Sequence, residues 1–134
     1  MHQEKQLKTL ALVIASVFNL LVFENACAHG DHPSEHGGIM GRGDDAIVVE
    51  FVMEKGTINV YVHDEDGKPL ATENVKGTLT VIAPQRPVQE VKLVRAGDHK
   101  FTAPGLKPAP GDRLKARIKL PSGEELESVG LFAK

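Results

Sequence analysis

Three histidines, His29, His32 and His36, fall within eight residues of the chain, with Asp31 and Glu35 between them. Imidazole and carboxylate together form a donor set for borderline divalent ions such as Cu(II), Zn(II) and Ni(II). Met40 follows closely and adds a thioether of the kind Cu(I) prefers. If His29 is the N-terminus of the working protein, its α-amine and ring can chelate one metal as a bidentate unit. A free α-amine titrates near about pH 8, so a metal displaces its proton at modest cost. The candidate metal ligands are therefore His29, Asp31, His32, Glu35, His36 and Met40, and the candidate ion is copper or zinc. The plainer alternative is a polar lead-in whose histidines only keep it soluble.

A short arm loses conformational entropy when it wraps an ion, so high affinity calls for a partner ligand on the folded part. Two histidines could serve. His63 has the polar parity of its run and is expected to be exposed opposite Val48. His99 shares parity with Phe101 and is expected to sit half-buried near a turn. Each also reads as an ordinary surface or structural residue. Met53 has apolar parity and belongs to the core. The alternating cations Arg113, Lys115, Arg117 and Lys119 could make an anion-binding face, but Glu125 and Glu127 lie across a hairpin from them and neutralise it. Asp64-Glu65-Asp66-Gly67 resembles the start of a calcium loop without its downstream ligands, and is read as a turn. No phosphate loop, Ser/His/Asp set or carboxylate pair stands out, so the chain is not expected to be an enzyme.

These residues need an address and a scaffold. Lys5 and Lys8 form a positive start, and Leu10 to Phe23 is apolar apart from Ser16 and Asn19. That run is short of the roughly 20 residues a membrane-spanning helix needs and suits a secretory signal, with Ala26-x-Ala28 as the cleavage site. An uncleaved membrane anchor is one alternative. Lipid attachment at Cys27 is another, disfavoured by Glu24 three positions before it. Residues 1–28 are read as a signal peptide cut after Ala28, giving a periplasmic protein with no stable anchor. Cys27 is the only cysteine, so the exported form would hold neither disulfide nor thiolate. The net charge of −2 and the single Tyr, with no Trp, give no reason to expect nucleic acid as a partner.

Residues 29–45 are rich in Gly and His and show no apolar period, which predicts a flexible arm. Residues 46–134 predict a single all-β domain. Ile47, Val49, Phe51 and Met53 alternate inward, as do Ile58, Val60 and Val62. A two-residue Lys55-Gly56 loop pairs Met53 with Ile58, Phe51 with Val60 and Val49 with Val62, although Lys suits a tight type I′ turn poorly and predicts a looser one. Further short runs lie at Gly77 to Ala83, Val88 to Arg95 and His99 to Ala103, with a Pro/Gly-rich crossover over Pro104 to Gly111. Leu114, Ala116, Ile118 and Leu120 alternate with cations. A Pro121-Ser122-Gly123 loop then sets Lys119 opposite Glu125, Ile118 opposite Leu126 and Arg117 opposite Glu127, pairs worth roughly 0.2–1 kcal/mol each. About seven or eight strands near ten residues apart predict an antiparallel, immunoglobulin-like β-sandwich.

With arm and strands in place, the chain resembles a small family of periplasmic proteins associated with bacterial heavy-metal (RND-type) efflux systems. The resembling stretches are the signal peptide, the arm ending His36-Gly37-Gly38, Val49-Glu50-Phe51-Val52, and Gly56 to Pro69. The Gly77-Thr78-Leu79-Thr80-Val81 run and Ala116 to Gly123 fit as well. The resemblance implies a metal-handling accessory that binds copper, zinc or a similar ion on His29, His32 and His36. It also implies a partner in the periplasmic part of a metal-efflux complex. The chain lacks the His-Cys-Met set of blue-copper proteins and the Met-rich clusters of Cu(I) chaperones. Two other classes stand beside this one. One is a metal-free interaction module of an envelope complex, docking by a strand edge. The other is a copper enzyme with a histidine brace made of His29 with His63 or His99.

Overall fold

The computed structural model describes residues 32–133. The expected signal peptide and cleavage site, with Cys27, His29 and Asp31, lie outside the described residues. In chain order the strands are β1 (Ile39–Met40), β2 (Arg42–Gly43), β3 (Ile47–Glu54), β4 (Thr57–Asp64), β5 (Lys76–Ile82), β6 (Gln89–Lys92), β7 (Val94–Arg95), β8 (Lys100–Ala103), β9 (Arg113–Lys119) and β10 (Glu125–Leu131). They form two antiparallel five-stranded sheets, ordered β1-β3-β4-β8-β7 and β2-β10-β9-β5-β6, and the described residues contain no helix.

Alternation builds the core. Val49, Phe51, Val60 and Val62 from the first sheet pack with Leu79, Val81, Leu114 and Ile118 from the second. The β3–β4 register is the expected one, with Met53 opposite Ile58, Phe51 opposite Val60 and Val49 opposite Val62. The last hairpin likewise sets Lys119, Ile118 and Arg117 against Glu125, Leu126 and Glu127.

Four expectations change. The Lys55-Gly56 loop is tight, with φ of 50° and 75°, so Lys55 accepts a left-handed backbone where Asn or Gly would be relaxed. Met53 is 40% exposed and outside the core. β1 pairs with β3 only at Phe51 and Glu50, which leaves the flank beside Met53 open. Among the described residues ten strands replace seven or eight, because three two-residue strands cross between sheets or flank a crossing. One of these crossings splits the Val88 to Arg95 run at Leu93, whose amide donates to the Gly77 carbonyl at 2.8 Å.

The fourth change concerns the arm. Its described residues are not loose. β1 pairs with β3, the Gly41 amide donates to Val49, and β2 pairs with β10. The glycines expected to give mobility instead give room. A methyl group on Gly41 would collide with Ser128 and the Phe51 ring, and one on Gly43 with the Glu127 carbonyl.

Candidate functional site: the arm over Glu50

Glu50 follows the outward parity of β3, between the core residues Val49 and Phe51, yet it is fully buried. The cover is residues 34–38, folded down onto the outer face of the first sheet. Ser34 Oγ donates to Glu50 Oε1 at 2.6 Å, and the amides of His36 and Gly38 donate to the same oxygen at 3.0 and 2.8 Å. Oε2 accepts from the Glu35 amide at 3.2 Å and from His36 Nδ1 at 3.0 Å. Gly37, at φ 72°, makes the bend that aims these donors. Burial alone would push the Glu50 carboxyl up. The hydrogen bonds from Ser34, Gly38 and His36 outweigh it and hold the group at about 2.

An ionised carboxylate can only accept, so the bond fixes the proton of His36 on Nδ1. The imidazole also lies flat on Tyr61, with ring centroids 3.8 Å apart and planes 9° from parallel. Tyr61 is the cross-strand neighbour of Glu50. Carboxylate and phenol ring together hold His36 in one orientation and leave Nε2 as the ring nitrogen that Glu50 does not use. This is the arrangement by which a carboxylate orients a metal-ligating histidine.

His63 is opposite Val48 as expected, but it is buried. Glu35 of the same strap reaches it, with Oε2 lying 3.5 Å from His63 Nε2. Met40 is the β1 neighbour of Glu50 and shares its face. His32 lies against the turn at Gly67, whose added Cβ would be 3.4 Å from its Nδ1. That turn is built as expected: Asp64 Oδ1 accepts from the amides of Asp66 and Lys68. His99 is exposed, not half-buried, and its Nδ1 is 3.3 Å from the Leu70 carbonyl. Among the described residues no hydrogen bond or ion pair joins it to residues 34–38.

The structure thus brings Glu35, His36 and Met40 to one sheet face and adds His63, but it joins these groups in pairs. Among the described residues no three His, Cys, Asp or Glu side chains converge as a ready metal set. Sequence reasoning missed Ser34, Glu50 and Tyr61 as members of the site. The available signal was a carboxylate placed between buried valine and phenylalanine, downstream of a Ser-Glu-His-Gly-Gly stretch rich in amide donors.

Comparison of the chain with protein-family models, with curated proteins and with solved structures found no match.

Proposed function

We propose that the chain is an exported, periplasmic metal-binding accessory protein that captures a divalent or copper ion on its N-terminal histidine arm, in the service of an efflux system. The observation that supports this reading is the orientation of His36, held through Nδ1 by a buried carboxylate and flat against Tyr61. Its Nε2 is the donor around which His32, Glu35 and Met40, with His29 and Asp31 outside the described residues, would gather as the arm adjusts to an ion. Imidazole and carboxylate donors suit Cu(II) or Zn(II), and Met40 extends the set toward Cu(I). No catalytic role is assigned. We also read the two-sheet fold as an immunoglobulin-like sandwich, on the strength of its antiparallel sheets and short strands.

A second reading is favoured by the same contacts. Ser34, His36 and Gly38 satisfy Glu50 without any metal, which is what a metal-free envelope interaction module would need from its lead-in. Deleting the arm would not separate the two, because it also uncovers Glu50. Substituting His36→Asn and His32→Ala in the exported protein keeps Ser34 and Gly38 and does separate them. Calorimetric titration with Cu(II) and Zn(II) is expected to show submicromolar binding that the double variant loses. Equal weak binding by both forms would leave the strap as structure only and favour the interaction module.

A further inference from the structure

On the second sheet, where the chain leaves β6 for β7, a groove of about 500 Å³ opens at the side of the sandwich. Val75, Leu93 and Phe101 give it an apolar lining that continues into the core. Its rim is cationic: Lys76, Lys92, Arg95, Arg117 and Lys119 stand around it against the single carboxylate of Glu125.

The expected neutralisation of this stripe is only half delivered. Glu127 takes both Arg117, at 2.7 Å, and Lys115, at 3.8 Å. Arg95 pairs with the exposed Asp98. Lys76, Lys92 and Lys119 have no ion pair among the described residues. Lys119 stands between Glu125, across the β9–β10 ladder, and Lys76, across the β5–β9 ladder, and Lys92 and Arg117 flank Thr78 from its two neighbouring strands. Like charges directly opposite each other in a sheet are destabilising. A chain of net charge −2 therefore concentrates an excess of positive charge around one apolar hollow, with Lys76 and Lys92 facing no carboxylate across the ladders.

We propose that this groove is a binding site for a small amphipathic organic anion, a carboxylate with a short apolar body. The carboxylate sits among Lys76, Lys92 and Lys119, where it relieves their repulsion. The apolar body lies on Val75 and Leu93. The volume falls within the roughly 300–1,000 Å³ of small-molecule sites, and a mostly apolar lining with a few convergent polar groups is their usual character. The site is independent of the arm and of the metal reading.

The test is a chemical-shift titration of the whole exported protein with decanoate below its micelle concentration, beside decanamide and acetate. Decanoate is expected to saturate and to move the amides of Gly77, Lys92 and Leu93. Decanamide, without the charge, and acetate, without the tail, are each expected to bind about tenfold more weakly or less. The variant Lys76→Gln/Lys92→Gln is expected to lose about five- to tenfold in decanoate affinity without any fall in thermal midpoint, since Lys76 faces Lys119 and Lys92 faces Thr78, so no attraction across the ladders is removed. No saturable shift, or unchanged affinity in that variant, would overturn the proposal. So would binding to phosphatidylglycerol vesicles with no response to monomeric decanoate, which would assign the patch to a lipid surface.

Discussion

Glu50 is the residue on which the arm's order depends. Its carboxylate takes five donors from residues 34–38, so a neutral amide in its place would turn acceptors into donors facing donors. Glu50→Gln is expected to destabilise the fold by about 2–3 kcal/mol in urea denaturation, the scale of hydrogen bonds to a buried charge. The pH dependence follows from the same group. Its value is about 2 in the folded protein against 4.5 ordinarily, so its contribution is complete above about pH 4.5 and is lost as the pH falls toward 2. The full contribution is on the order of 3 kcal/mol. Denaturation midpoints measured from pH 6 down to pH 2.5 should fall over that window, and Glu50→Gln should flatten the fall. A wild-type midpoint that stays level to pH 2.5 would contradict the strap's role.

At the scale of elements, the hairpins were legible because each strand's inner face is written locally, as with Val49, Phe51, Val60, Leu114 and Ile118. The strap was not. Its contacts reach 12 to 16 positions along the chain, from Gly38 and Ser34 to Glu50, and no periodicity encodes a carboxylate's cover. Gly41-Arg42-Gly43 misled for a related reason: glycine signals freedom and close approach equally well, and only the neighbouring strand distinguishes them. Two substitutions check these assignments. Lys55→Asn should relax the left-handed turn and stabilise the protein by up to about 1 kcal/mol. Gly41→Ala should destabilise it by about 2 kcal/mol or more, since the methyl meets Ser128 and Phe51 inside a packed core. A thermal or urea midpoint reads both. A neutral Gly41→Ala would mean that the crossing between sheets yields to the added methyl.

Across the whole molecule, the two sheets are laced together at both open sides by chain that changes sheets, from β1 to β2 and from β6 to β7. Arg86 and the buried Asp112 add a further tie, between the Pro84–Pro87 turn and the crossover after Pro104. The Ala109 amide and then the Arg86 guanidinium hold the Asp112 carboxyl below its usual range. Amide exchange should therefore protect His36 and Gly38 to nearly the level of the core strands. Fast exchange at those two amides would place the arm in solvent.

The pairing of β2 with β10 sets Gly43 against Ser128 and so joins the front of the described chain to its end. Closing so long a loop is the slow part of building a β-fold. The histidine strap needs no such closure: residues 34–38 seat on Glu50 of β3 and Tyr61 of β4, so the seat exists as soon as that hairpin has formed. Strap and hairpin thus make a local unit that can precede the second sheet, and only β2 must wait for the last strand.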